Sequence, residues 1–255
     1  MPIIQSLDRA LQIIDLFDES TTELKITEIS TRMQLHKSTV HSLLKTLQLH
    51  GYIDQNEESG KYKLGMKLLE KGQLLLQGMD IRTIARKHLA SLSALTGQST
   101  HLVILDGKEG VYIDKVEGDK AAIRYSRIGR RVPLHSSAVG KVLAAFQGEE
   151  ALTKLLHNYN YTVHTAATIH DEAAFVRELR QARAEGAAYD HEENEPGVRC
   201  GAAPIYDHTG AVIAAMSLST LTSAVDESQF AEYVVLLKKE AAAISQLLGY
   251  RRAHG

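Results

Sequence analysis

His36-Lys-Ser-Thr-Val-His-Ser-Leu-Leu-Lys-Thr-Leu-Gln-Leu-His-Gly-Tyr-Ile53 is the stretch from which the fold can be read. Val40, Leu43, Leu44 and Leu47 fall at i, i+3, i+4 and i+7, the spacing of a half-buried helix. The helix begins at Lys37 or Ser38 and ends at Gly51, a residue suited to a left-handed C-terminal turn. Opposite the apolar stripe stand Ser38, His41, Ser42 and Lys45, with Lys37 and Thr39 in the first turn. Short hydrogen-bonding side chains mixed with cations are what a helix needs to meet base edges and phosphates. An ordinary solvated helix face would carry the same residue types, so the surroundings decide.

Upstream, Ile29 and Met33 mark a second helix, with Thr27 as the expected N-cap and a stop near Gln34. Before it, Leu7, Leu11, Ile14 and Phe17, backed by Ala10 and Ile13, predict a first amphipathic helix over about residues 6–18. Downstream, Tyr52-Ile-Asp54 and Lys61-Tyr-Lys-Leu64 flank a polar turn containing Gly60, which predicts a β-hairpin. Helix, helix-turn-helix and hairpin make a winged helix-turn-helix. From Ile29 to Tyr52 there is no Asp or Glu, while Arg32, Lys37 and Lys45 are present. That local basic window matters more than the net charge of −2. The hairpin tip carries Glu57 and Glu58, which phosphate would repel, so Lys61 and Lys63 are the expected backbone contacts of the wing.

The remaining chain reads as α+β. Helical periodicity covers residues 66–96 with a break near Gly78, and a meander of strands is expected over 99–127. A loop reaches Pro133; helices follow near 136–146, 149–157 and 171–185; strands return at 187–191, 202–206 and 212–219. A helix over about 226–248 closes the chain. This order predicts an antiparallel sheet with helices on one face. Three segments result: a winged helix-turn-helix (1–65), a linker helix (66–80) and a second domain (81–255).

Composition excludes several classes. At 255 residues, 44% apolar and 24% charged, the chain suits two ordinary globular domains. No run approaches the roughly 20 apolar residues of a membrane span, and the first residues do not resemble a signal peptide, so a cytoplasmic address is expected. One cysteine, Cys200, allows no intrachain disulfide and no resolving thiol for redox catalysis. No Gly-x-Ser-x-Gly elbow is present, and His164, His170, His191 and His208 share no helix face that would hold zinc. Gly140-Lys141 does not complete a phosphate loop, because position 135 is His; residues 136–142 read instead as a helix start. No metal, cofactor or catalytic residue is implied. An enzyme and a ligand-independent DNA binder remain as alternatives to a regulator.

Asp190, Cys200, Ser217 and Ser219 are compact polar residues on or beside the late strands, and Ser217 and Ser219 share a face. They could form a polar site for a small anionic or hydroxylated ligand. Equally, the thiol could be simply buried and the serines bonded to backbone.

The chain resembles the IclR family of bacterial transcription regulators in three places. One is His36–Lys45 with Leu49-His-Gly-Tyr-Ile53 and Tyr62-Lys-Leu-Gly65; another is Gly129-Arg-Arg-Val-Pro-Leu-His-Ser-Ser-Ala-Val-Gly-Lys-Val-Leu143. The third is Gly197-Val-Arg-Cys-Gly-Ala-Ala-Pro-Ile205 ahead of Ala214-Ala-Met-Ser-Leu-Ser219. The resemblance implies a GAF-like effector-binding domain whose cup takes small carboxylates and related metabolites. Asp190, Cys200, Ser217 and Ser219 would be its polar groups, with Val132, Ala138 and Val198 as apolar wall and Ala121 and Arg124 on a lining strand. Arg124 stands where an apolar residue is expected, and would pair with a ligand carboxylate if it points inward or be a surface charge if it points out. Ala138 stands where a glycine is frequent. Family habit implies a repressor on a double-stranded DNA operator, assembled as a dimer or dimer of dimers.

Overall fold

The computed structural model describes residues 3–18, 20–77, 81–120 and 126–251, apart from the side chains of 72, 73 and 75–77. The chain divides into two compact units, 1–79 and 80–255.

In the first unit, α1 (Gln5–Ile14), α2 (Ile26–Met33) and α3 (Lys37–Leu49) precede a hairpin of β1 (Ile53–Gln55) and β2 (Tyr62–Leu64), and α4 (Met66–Gln77) follows. One core joins Ile13, Phe17, Leu24, Ile29, Val40, Leu44, Leu47, Ile53 and Tyr62. Gln34 ends α2 in the left-handed conformation, and the Ser30 hydroxyl donates to the Leu35 carbonyl across the turn into α3 (2.6 Å). The hairpin is tied to the helices where the Leu24 and Tyr62 backbones exchange hydrogen bonds of 3.0 and 2.8 Å. Gly65 admits no side chain, since a β-carbon there would lie 2.1 Å from the Gly51 carbonyl oxygen.

Two expectations for this unit need correction. α2 starts earlier than Thr27: its N-cap is Lys25, whose backbone N–H donates to the Glu28 carboxylate (2.7 Å). The Glu28 N–H donates in turn to the Lys25 carbonyl (3.0 Å), so these two residues close the helix start without a Thr hydroxyl, and Thr27 sits inside the first turn. α1 also stops at Ile14 and buries Ile13, with Phe17 beyond its end, while Leu7 and Leu11 stay 56% and 53% exposed. Of the expected stripe, Ala10, Ile13, Ile14 and Phe17 pack into the core while Leu7 and Leu11 do not; Asp18, accepting N–H bonds from Ser20 and Thr21, turns the chain after Phe17.

The second unit is built on an antiparallel sheet of order β5-β4-β3-β8-β7-β6. After α5 (Ile81–Thr96) come β3 (Ser99–Asp106), β4 (Glu109–Val116) and β5 (Arg131–Pro133); α6 (Ala138–Ala145), α7 (Glu149–Leu156) and α8 (Glu172–Glu185) follow. β6 (Ala188–His191), β7 (Val198–Tyr206), β8 (Val212–Leu221) and α9 (Glu227–Leu247) complete it. The expected strand at 121–125, with Ala121 and Arg124, lies outside the described residues.

Helices cover both faces of this sheet, not one. On the first face, a β-carbon at Gly201 would meet Val234, Phe230 and Leu237 of α9, and the Thr100 hydroxyl donates to the Leu89 carbonyl of α5. On the second, Val103, Ala202 and Ala215 pack with Val142 and Leu143 of α6 and Phe175 and Leu179 of α8. β7 and β8 are therefore buried on both sides, which Ala202, Ala203, Ala214 and Ala215 allow by keeping both faces low. β7 starts at Val198 rather than 202, and β5 occupies what reads in sequence as loop; neither alternates enough to announce a strand.

Candidate functional site

Two sets of polar side chains stand out, one in each unit. On α3, burying Val40, Leu44 and Leu47 turns Lys37, Ser38, His41, Ser42 and Lys45 to solvent, while Thr39 is half-buried. Ser42 donates its hydroxyl to the Ser38 carbonyl (3.1 Å). The His36 side chain does not cap the helix, so the first N–H groups of α3 face outward beside Lys37. The wing lysines are differently placed. Lys61 lies 3.8 Å from Glu23 and Lys63 lies 3.9 Å from Asp54. These loose exposed pairs contribute little to stability, but they dilute positive charge at the wing. Sequence spacing gives no sign of the Lys61–Glu23 pair.

In the second unit, sheet register brings the four singled-out polar residues onto the face covered by α6 and α8. Asp190 pairs with Cys200, and Cys200 with Ser219. Ser217 lies two residues along β8 on the same face. The Cys200 thiol donates to the Ser219 hydroxyl (3.1 Å) and the Ser217 hydroxyl lies 3.4 Å from His101 Nδ1, so these groups contact side chains rather than backbone. Val198 belongs to the same face by alternation, and Val132 and Ala138 pack in the core beneath α6.

Charge is suppressed here. Burial pushes the Asp190 carboxyl up to about 7, aided by the nearby Glu193 carboxylate and opposed by N–H bonds from Glu193 and Asn194. Those bonds, 2.7 and 3.3 Å long, both end on Oδ1. Burial also raises the Cys200 thiol far above its ordinary range and pushes the His101 imidazolium down to about 3. Near neutral pH the cup thus holds a thiol, hydroxyls, a neutral imidazole and a carboxyl whose charged form burial disfavours.

The segment after Asp190 is fastened from several sides. Lys141, 1% exposed, reaches Glu193 Oε1 (2.6 Å) and Glu178 Oε2 (3.2 Å). The Ser136 hydroxyl donates to Asn194 Oδ1 (3.3 Å), and the Thr165 and Thr168 hydroxyls donate to the Glu192 and Glu193 carbonyls (2.7 and 2.6 Å). Gly140-Lys141 therefore has a structural use: the glycine lets α6 lie against Leu134, where a β-carbon would be 2.4 Å from its Cα, and the lysine anchors the loop. α6 begins at Ala138, with Ser137 as N-cap accepting the Gly140 N–H.

Sequence reasoning passed over Ser99, His101, Tyr112 and Ser126, all on or beside this face. The polar start of β3 reads as a strand end, and only its pairing with β8 turns it inward. An open groove of about 1030 Å³ lies elsewhere in the unit, among Arg183, Lys238, Tyr206 and Tyr250. It contains none of the four converging polar residues, so the cup is the better binding-site candidate. Among the described residues no cluster of His, Cys, Asp or Glu could hold a metal, and no helix is long and apolar enough to cross a membrane.

Comparison with known proteins covers nearly the whole chain. Residues 6–57 match the IclR helix-turn-helix domain, and 73–246 match the bacterial transcriptional regulator IclR C-terminal domain. The chain is 59% identical over 250 residues to the HTH-type transcriptional regulator XynR of Escherichia coli K12, covering 98% of this chain and 99% of the relative. The crystal structure of the Agobacterium tumefaciens repressor BlcR is similar with a TM-score of 0.81 at 27% identity, covering 97% and 98% of the two chains. An IclR homolog from Microbacterium hydrocarbonoxydans, solved in complex with 4-hydroxybenzoate, is similar with a TM-score of 0.61 at 26% identity, over 95% and 98%.

Proposed function

The chain belongs to the IclR family and is an HTH-type transcriptional regulator, not an enzyme; from that premise we propose which residues read DNA, which read the effector, and how the two are linked. α3 enters the major groove of a double-stranded operator. Lys37 and Lys45 contact phosphate, and Ser38, Thr39, His41 and Ser42 lie against base edges or backbone. The observation that carries this is the exposed face of α3, which has two lysines and four small or aromatic hydrogen-bonding residues and no acid. Lys61 and Lys63 contribute less, because Glu23 and Asp54 sit beside them.

The second domain, residues 81–255, senses a small carboxylate in the cup of Asp190, Cys200, Ser217 and Ser219, walled by Val132, Ala138 and Val198. Ala121 and Arg124 belong to this proposal on sequence grounds only. Support comes from the convergence of the quartet on one buried sheet face, and from the aromatic acid bound by the Microbacterium homolog. The chain acts as a cytoplasmic repressor and binds a pseudo-palindromic site as a dimer or dimer of dimers. The exposed Ile4, Leu7 and Leu11 of the first unit support self-association. The linker helix, about 66–80, carries coupling between effector and operator, and each ligand then changes the other's affinity by the same factor.

A gel shift on the DNA upstream of the chain's own gene, with and without small carboxylic acids, tests this reading. Retardation that an acid relieves supports it. No retardation under any condition overturns control of its own or a neighbouring gene, and retardation indifferent to every acid favours a ligand-independent DNA binder.

A further inference from the structure

Beyond the four sequence-singled residues, the cup face carries a second polar group of side chains at its β3 end. Register places Ser99 opposite Ser219, Ser219 opposite Cys200, and Cys200 opposite Asp190. A single row thus crosses four neighbouring strands, about 14 Å at the usual strand spacing. One end is a carboxyl and the other a hydroxyl. Two residues along, His101 pairs with Ser217 in the next row.

The β3 end is incompletely satisfied. Ser99 is wholly buried, and its hydroxyl has no hydrogen-bond partner among the described residues. Such a group normally costs stability unless something else bonds to it. Beside it, His101 Nε2 lies 2.7 Å from the Ser126 hydroxyl and Nδ1 lies 3.4 Å from that of Ser217. The Tyr112 ring meets the imidazole edge-on at 5.2 Å between centroids. Burial keeps the imidazole neutral; its Nε2 is engaged by Ser126, and the long 3.4 Å contact with Ser217 leaves Nδ1 as the ring atom a ligand can compete for. A neutral ring flanked by hydroxyls cannot act as counter-ion to a carboxylate. The unpartnered Ser99 hydroxyl and His101 Nδ1 together suit a group that both donates and accepts, which is a hydroxyl.

From this juxtaposition we infer that Ser99 and His101 form a hydroxyl-recognising subsite, so that the effector is a hydroxylated carboxylic acid with its hydroxyl-bearing end on β3. The inference rests on the reading of the cup as the effector site, and deepens it by giving the second polar end of the ligand. Ser99 and His101 are then specificity-determining residues, selecting hydroxylated acids over their deoxy analogues.

The test uses the full chain and acids matched in carbon skeleton: threonate against butyrate, lactate against propionate, and 4-hydroxybenzoate against benzoate. Affinity is read by calorimetry, and stability by thermal unfolding without ligand. In the unmodified protein at least one hydroxylated acid binds about five- to tenfold or more tightly than its partner, one neutral hydrogen bond's worth or more. Ser99→Ala removes most of that preference while leaving the unliganded Tm unchanged or raised, because it deletes an unpaired buried hydroxyl. His101→Phe abolishes the preference, and His101→Gln, which keeps a donor and an acceptor, restores part of it. Should His101→Phe fail to fold, Ser99→Ala and His101→Gln decide the matter. A fall in Tm with the preference intact in Ser99→Ala makes Ser99 merely structural and overturns the inference. Equal binding of both members of every pair overturns it while leaving the cup reading in place. Absence of binding by all six acids overturns the cup as a carboxylate site, and the inference with it.

Discussion

The two units handle polar side chains in opposite ways. On α3 the lysines and hydroxyls are exposed and lightly tied; on the inner sheet face of the second unit the polar groups are buried and burial disfavours their charged forms. The difference follows from the partner each would meet. A phosphate backbone is matched by charges that stay in water until contact, and releasing counterions supplies much of the binding. A small molecule enclosed in a core must be met by groups whose desolvation has already been offset in folding. Beside the cup, the buried pair of Lys141 and Glu193 sets one charge against its opposite.

Breaking that pair should give the largest effect. Lys141→Met leaves Glu193 buried without its cation and should destabilise the second unit by about 3–5 kcal/mol. In urea unfolding, the midpoint of the second unit should fall while that of the first holds. Adding Glu193→Leu to Lys141→Met should recover most of the loss, because the unpaired charge is then gone. A double variant no more stable than the single one would mean that the pair holds the loop by geometry rather than by charge balance.

Asp190 offers a second, pH-dependent contrast. Its folded-state pKa, about 7, stands above the ordinary 3.8 of the unfolded chain, so the native protein binds the extra proton between those values. Stability contributed by the protonated carboxyl is therefore full below about pH 4 and is lost as pH rises through 7, a swing of about 4 kcal/mol. Asp190→Asn should flatten that slope and make the second unit more stable than the original at pH 8, while weakening effector binding. An unchanged slope between pH 4 and 8 would place the Asp190 charge in water. His101 runs the other way: its folded-state pKa, about 3, lies below 6.5, so its contribution is present above 6.5 and lost as pH falls toward 3.

Smaller effects are expected on the exposed face. Lys37→Ala and Lys45→Ala should each weaken operator binding by about 1 kcal/mol or more and reduce the slope of log affinity against log salt by about 1. Neither should alter unfolding midpoints beyond about 0.5 kcal/mol. Smallest of all, Thr27→Ala should change stability by no more than a few tenths of a kcal/mol in either direction, since Lys25 and Glu28 close the start of α2 and Ala is the better helix former. A loss nearer the 1 kcal/mol typical of a true N-cap would restore Thr27 to that role.

The sequence made the first unit's helices readable because α3 and its neighbours each have one buried stripe and clear stops at Gln34 and Gly51. It counted Leu7 and Leu11 of α1 as buried, because they share a spacing with Ile14, whereas only Ala10, Ile13, Ile14 and Phe17 reach the core. In the second unit, Asp190, Cys200, Ser217 and Ser219 could be named as compact polar residues, yet their meeting depends on cross-strand register that no local pattern encodes. Ser99 and His101 were hidden for the same reason. Their strand opens Ser99-Thr-His101, which looks like a solvated end until β8 is laid beside it. Helices on both faces were equally illegible, since the small residues of β7 and β8 are compatible with one covered face or two.

The most direct test of separate DNA and effector sites is a paired titration of the upstream DNA fragment and of whichever acid binds, on Lys45→Ala and on Asp190→Asn. Each ligand is titrated in the absence of the other. Lys45→Ala should lose affinity for DNA and keep that for the acid, and Asp190→Asn should do the reverse. If either substitution lowers both affinities in a protein that remains folded, the two sites are not separable and the division of labour between α3 and the cup is wrong.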